Sequence, residues 1–295
     1  MNKKNIWRFV FTGGKDAFFN MALDESLLIS CQKRKSPPIL RLYQWEPPGV
    51  SIGYFQKINQ TVDIDKCQER NIGIVRRLTG GRAVLHLNDL TYSVCASIDF
   101  FDHLGENVNQ TYQRISYAFL EAFKLLKINA KWAKVSKPFS QNTWDTEAKN
   151  EEILAQPCFS SSSRYEIEIC GKKILGSAQR RFSARDGFPF SGQESFLQHG
   201  SLPLKIGEID LVDLLPSSKS LDKEAKSKFR KSYITLQEAT NRNVPIKELF
   251  NVIQSGFESF FSIKFEYTGL TSEEEKLAQK LFHEKYETKD WNFRR

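Results

Sequence analysis

The chain has 295 residues, 40% hydrophobic and 13% aromatic with 23 phenylalanines, enough to bury a bulky core or line an apolar pocket. Its formal net charge of +8 points to an acidic partner, whether nucleic acid, membrane surface or protein. No run approaches the roughly 18 apolar residues of a membrane span, and the basic N-terminus has no apolar stretch of a signal peptide. The five widely spaced cysteines lack a CxxC pair and fit reduced thiols in a cytoplasmic protein better than disulfides or zinc.

Residues 18–33 read as a helix, with Met21, Leu23, Leu27 and Leu28 on one side. Asp24 and Glu25 early and Lys33-Arg34 late would complement its dipole, and Pro37-Pro38 ends it. Ile39–Trp45 and residues 50–55 read as strands joined by Glu46-Pro47-Pro48-Gly49. Between the apolar runs 72–75 and 90–94 lies Arg76-Arg77-Leu78-Thr79-Gly80-Gly81-Arg82-Ala83-Val84-Leu85-His86. Adjacent glycines allow positive φ and close approach of a ligand. Exposed amides and guanidinium groups suit a carboxylate, a phosphate or a developing oxyanion. A hairpin turn with solvated arginines fits the same residues.

From Asn109, Tyr112, Ile115, Phe119, Phe123 and Leu126 recur at helical spacing and read as a core-facing stripe. Residues 131–156 are polar and mixed in charge and read as a long surface loop, and 185–195 as another. Residues 164–170 alternate, with Tyr165, Ile167 and Ile169 on one face. Gly171-Lys172 makes a turn, and 173–179 returns as a second strand. The basic run 219–231 reads as a solvated helical face. Ile246–Phe261 predicts an amphipathic helix with Leu249, Phe250, Ile253, Phe257 and Phe260 inward. A further helix starts at Thr271, with Glu274 completing a capping box. Strands and helices alternate without a strict βαβ rhythm, which predicts an α/β (α+β) fold with a mixed or antiparallel sheet.

Cys158 follows Pro157 and precedes Phe159 and four serines, small residues that would leave a thiol accessible. A thiolate is a strong nucleophile, especially near cations; a half-buried structural cysteine is the plainer reading. Cys95, Cys31 and Cys170 read as structural, Cys170 on a strand face, and Cys67 as incidental. Lys173 opens its strand beside Gly176, Ser177 and Ala178 and, if inward, would hold a carbonyl oxygen; as a turn residue it would be solvated. His86 and His199 fit either a base or a satisfied structural histidine. No metal-ligand cluster and neither nucleotide-binding glycine motif is present.

Together these motifs resemble the lipoate-protein ligase, octanoyltransferase and biotin-ligase superfamily. The likeness runs through Asn20-Met21-Ala22-Leu23-Asp24-Glu25, Arg41-Leu42-Tyr43-Gln44-Trp45, Ser51-Ile52-Gly53-Tyr54-Phe55-Gln56 and the Arg76 to His86 loop. It continues through Leu90-Thr91-Tyr92-Ser93-Val94, Gly171-Lys172-Lys173-Ile174-Leu175-Gly176-Ser177-Ala178-Gln179 and Gln198-His199-Gly200-Ser201, and closes on Tyr286 and Trp291-Asn292. The resemblance implies one biotin/lipoate protein ligase catalytic domain over 1–295, with largely antiparallel mixed sheets and flanking helices. Residues 1–205 would form the acyl-site core, and 206–295 a helical segment packed on it. It implies an acyl site formed by Arg76, Arg77, Thr79, Gly80, Gly81, Arg82, Ala83, His86, Gly176, Ser177, Ala178 and His199, with Lys173 on the acyl carbonyl.

Pro157-Cys158-Phe159 followed by Tyr165-Glu166 is similar to the cysteine-type octanoyltransferases, apart from proline in place of a small residue. That branch implies a Cys158 thioester, no cofactor, octanoyl-acyl carrier protein as donor and an acidic lipoyl-domain acceptor such as glycine cleavage H protein. The cysteine pattern and the absence of binding motifs and apolar spans predict a cytoplasmic protein with neither nucleic acid nor membrane as partner, its oligomeric state open with a monomer as the default. An ATP-dependent lipoate ligase, an amidotransferase between lipoyl-domain proteins and a non-catalytic acyl-binding module are the other readings. The long segments 131–156 and 185–195 leave donor and acceptor choice open.

Overall fold

The computed structural model describes residues 5–133, 166–183, 186, 194–216 and 222–295. Cys158, Tyr165, and most of the two long loops at 131–156 and 185–195 lie outside the described residues.

Among the described residues the main sheet has eight strands: β1 (Ile6–Lys15), β2 (Ile39–Trp45), β6 (Asp89–Ser97), β7 (Lys131–Trp132), β8 (Ile167–Ile169), β9 (Lys172–Phe182), β10 (Ser195–Pro203) and β11 (Lys264–Tyr267). Their order is β11-β1-β2-β6-β10-β9-β8-β7. β1 runs parallel to β2 and to β11, and the other neighbours are antiparallel. A smaller sheet places β3 (Gly49–Ile52) between parallel β4 (Gly73–Arg76) and antiparallel β5 (Val84–His86). β2 and β3 are adjacent in sequence yet belong to different sheets, so the proline turn between them routes the chain from one sheet to the other and does not close a hairpin.

Helix α1 (Ala17–Gln32) starts where the Asp16 carboxylate accepts from the Phe18 and Phe19 amides at 2.9 Å. It is buried on nearly every side. Asp24 and Glu25 therefore do not serve the helix dipole: they lie in mid-helix, buried, and bind side chains of other elements. Helix α2 (Val108–Leu125) and helix α3 (Ile246–Phe261) pack on each other and on the sheet, with Phe119 and Phe257 edge to face at 5.3 Å. In α3, Leu249, Ile253 and Phe257 are buried as the spacing predicts, but Phe250 and Phe260 are only partly buried, and the buried terminal ring is Phe261.

The β8–β9 hairpin turns at Cys170 and Gly171, with φ of 50° and 76°, one residue earlier than the spacing suggested. This places Cys170 in an exposed turn, not on a strand face. Helix α4 (Ser272–Leu281) carries the Thr271–Glu274 capping box, and Glu274 also pairs with Arg8 of β1 at 2.6 Å. The C-terminal segment is not purely helical, because β11 forms an edge of the main sheet. Among the described residues no helix is long and apolar enough to cross a membrane.

Candidate active site

The two sheets and α1 line a half-open cleft with a cavity volume of about 50 Å³. β2 supplies Tyr43 and Trp45, β3 Ser51, β5 Val84 and His86, β6 Thr91, β9 Gly176, Ser177 and Ala178, and β10 His199, Gly200 and Ser201. Met21 of α1 and Arg77 and Gly81 of the arginine-glycine loop complete it.

The loop is held by backbone fit. A Cβ on Gly53 would lie 1.9 Å from the Gly81 carbonyl oxygen, so only glycine lets the two segments lie together. Gly81 itself has φ of +86°. Arg77 fastens the loop to β3: it donates to the carbonyls of Ser51 (3.0 Å), Gly80 (2.7 Å) and Arg82 (2.7 Å). It lines the pocket while scaffolding the loop.

Both pocket histidines have partners on each ring nitrogen. His199 Nδ1 faces the Asp24 carboxylate at 3.3 Å and Nε2 faces the Thr79 hydroxyl at 2.6 Å. With the proton on Nδ1, Nε2 accepts from Thr79. Burial is the largest influence on His199 and holds its pKa below the ordinary 6.5, against the pull of Asp24. Asp24 also accepts from Arg41 (2.6 Å), Ser93 (2.7 Å) and Tyr43 (2.9 Å). Burial alone would raise its carboxyl, but Arg41 and these hydrogen bonds outweigh it and hold the pKa below the usual range. His86 lies between Asp89 (Nδ1, 2.9 Å) and Ser51 (Nε2, 2.9 Å), with the Trp45 ring stacked on it at 3.8 Å. The polar side chains of the wall are thus bonded to one another, leaving a surface that an acyl chain can contact without stranding buried polar atoms.

The structure brings Arg77, Gly81, His86, Gly176, Ser177, Ala178 and His199 to the pocket. Thr79 stands behind His199, fully buried, and Ala83 packs into the small-sheet core with Val50 and Ile52. Gly80 and Arg82 offer their carbonyls to Arg77 and are not in the lining. Arg76 is not in the lining either: its guanidinium donates to the carbonyls of Gly53, Tyr54, Gln56 and Asn292. Lys173 is buried three residues before Gly176, outside the lining, with its ammonium 2.5 Å from Glu166. The sequence reading missed Asp24 as the hub beneath the pocket. The signal was available: an aspartate at the centre of an apolar helical run has no reason to be there without buried partners. Among the described residues no three His, Cys, Asp or Glu converge to hold a metal ion.

Residues 16–258 match the family described as the lipoyl protein ligase A/B catalytic domain. The chain is 37% identical over 294 residues to octanoyltransferase LipM of Anoxybacillus flavithermus, covering 99% of this chain and 100% of that one. It is 34% identical over 298 residues to octanoyltransferase LipM of Bacillus subtilis, covering 99% and 100%. Among solved structures, a putative lipoate protein ligase from T. acidophilum with bound lipoic acid aligns with a TM-score of 0.73 at 25% identity, covering 97% of this chain and 99% of that one. A lipoate-protein ligase A bound with ATP aligns with a TM-score of 0.73 at 26% identity, covering 97% and 98%. The chain belongs to the lipoyl protein ligase A/B catalytic-domain family, and its mixed α/β architecture is the catalytic fold of that family.

Proposed function

We propose that this chain takes an octanoyl group from octanoyl-acyl carrier protein onto Cys158 as a thioester and passes it to a lysine of a lipoyl-domain protein such as glycine cleavage H protein. The chain is an acyltransferase, an octanoyltransferase of lipoate biosynthesis, in keeping with full-length relatives at 34–37% identity. A bi-partite lipoate protein ligase from Thermoplasma acidophilum, 25% identical to this chain, is described with its E2 lipoyl domain, which supports an acceptor of that kind.

The observation that carries the cysteine route is the state of the other thiols. Cys31, Cys67 and Cys95 are buried, and burial is the main cause that raises each pKa, Cys67 to about 11. They are poor thiolates at neutral pH. Cys170 is in the exposed hairpin turn. Burial thus leaves Cys158 and Cys170 as candidates, and the family likeness of Pro157-Cys158-Phe159 favours Cys158.

In the first step the Cys158 thiolate attacks the donor thioester, a new thioester forms and the carrier thiolate leaves. In the second the acceptor amine attacks, the amide forms, Cys158 leaves as thiolate and the amine loses its proton to solvent. The donor is already activated, so no nucleotide is consumed. Lys173, held by Glu166, stabilises the oxyanion of each tetrahedral intermediate and favours the Cys158 thiolate. The apolar pocket holds the acyl chain, worth at most about 0.8 kcal/mol per buried methylene.

Intact mass after mixing with octanoyl-acyl carrier protein, without ATP, tests this directly. An octanoyl-sized gain on wild type but not on Cys158→Ala, discharged by apo-acceptor, is the expected result. Acylation of an acceptor that needs ATP and tolerates Cys158→Ala would establish a ligase instead.

A further inference from the structure

Beside the pocket, three arginines converge on two aromatic rings. The guanidinium carbons of Arg180 and Arg294 lie 4.4 and 4.0 Å from the centre of the Tyr54 ring, and that of Arg295 lies 5.5 Å from Phe55. Arg294 also covers Trp291 at 4.5 Å. Phe55 is 47% exposed, an apolar ring left open amid the cations. Beneath them, Arg76 is fully buried, and its donors meet backbone carbonyls. Burial and then the charges of Arg294 and Arg295 push the Arg76 pKa down to about 10. Arg180 pairs with Asp186 at 3.0 Å, but among the described residues no carboxylate pairs with Arg76, Arg294 or Arg295. Among the described residues, positive charge is concentrated here beyond what side-chain carboxylates neutralise.

The patch is continuous with the pocket wall. The Tyr54 amide donates to Thr79 at 2.9 Å, and Arg180 reaches the Leu78 carbonyl at 3.4 Å, so both hold the loop whose Gly81 lines the pocket. Arg180 follows Ala178 by two residues on β9 and shares its strand face.

We propose that Arg180, Arg294 and Arg295, around Tyr54 and Phe55, form the docking surface for the acidic acyl donor, a carrier protein that presents its thioester on a phosphodiester arm. This rests on the octanoyl-transfer reading above. Charge decides between donor and acceptor. Both partners are acidic proteins, but the donor leads with an anionic phosphodiester arm, whereas the acceptor leads with a lysine, a cation that the patch repels. The exposed Phe55 ring gives the charged contact an apolar centre.

The test uses the full chain and holo-acyl carrier protein, with binding followed by fluorescence anisotropy. Arg294→Glu/Arg295→Glu should weaken binding about tenfold or more and flatten its salt dependence. Arg295→Glu alone, a single exposed change, should weaken it about threefold. Acylation from an octanoyl thioester of N-acetylcysteamine, which has no carrier or phosphate, should fall less than about twofold, because the patch then has nothing to hold. Unchanged carrier binding overturns the proposal. So does an equal loss with the small thioester, or a loss confined to binding of the apo-acceptor. Wild type that binds the carrier at this patch but is never acylated would overturn the Cys158 route and leave the docking surface standing.

Discussion

Asp24, beneath the pocket, and His199, in its wall, face each other at 3.3 Å, and each is fastened elsewhere, Asp24 to Arg41 at 2.6 Å and His199 to Thr79 at 2.6 Å. This line of contacts joins α1, β2, β10 and the arginine-glycine loop, so the charge state of two buried groups bears on the shape of the site.

Stability should accordingly fall on acidification in two stages. His199 has a folded pKa below its unfolded value of 6.5, so the unfolded chain binds the extra proton first. Its contribution is whole above that value and declines as pH drops below it. Asp24 is also depressed, so its contribution is whole above the ordinary carboxylate value of about 3.9 and is lost as pH falls through the lower folded one. Urea midpoints should decrease from pH 7 to pH 5 and more steeply below pH 4. His199→Asn should flatten the upper stage. A wild-type midpoint that is constant between pH 7 and pH 5 would contradict the assignment.

Lys173 and Glu166 allow structural and chemical roles to be separated. The pair is buried at 2.5 Å, so Glu166→Ala or Lys173→Met alone should cost about 3–5 kcal/mol by leaving one charge uncompensated. Glu166→Leu/Lys173→Met removes both charges and should recover most of that loss in denaturant melts. If Lys173 meets the reacting carbonyl, acylation in the double variant should stay down by about 10²-fold or more. Recovery of rate together with stability would reduce the lysine to a structural role.

Local chemistry was legible in the chain; long-range burial was not. The Thr271–Glu274 box, the helix Ile246–Phe261 and the hairpin before Lys173 depend on residues near one another, and all three form. Arg76 looked like a ligand contact because it adjoins the glycines, but its backbone amide is bound by Asn292, 216 positions away. Asp24 looked like a dipole charge because spacing alone cannot show that Arg41, Ser93 and His199 close over it. The segment carrying Cys158 was recognised by family likeness alone, since one cysteine in a polar stretch has no periodicity to read.

Gly53→Ala should damage the site without touching a polar group. The new methyl would sit 1.9 Å from the Gly81 oxygen, a backbone atom that moves only if the loop moves. Overpacking of this kind costs about 1–3 kcal/mol. The displaced loop carries the carbonyls that hold Arg77, so acyl uptake should fall along with the melting temperature. A variant with a lowered melting temperature and undiminished acylation would show that the loop is not part of the acyl site.

Ala178 offers a test of chain-length selection, because its small side chain lines the pocket next to Gly81, whose built Cβ would stand 3.6 Å from it. Octanoyl exceeds butanoyl by four methylenes, worth up to about 3 kcal/mol on burial, or roughly two orders of magnitude in kcat/KM before the ordering cost is subtracted. Ala178→Phe fills that space with a ring. The octanoyl thioester should then lose most of its advantage while the butanoyl thioester, needing less depth, is acylated at nearly the wild-type rate. Paired rates for the two chain lengths distinguish this from general damage, which lowers both alike. An unaltered octanoyl preference in a folded Ala178→Phe variant would place the acyl chain elsewhere.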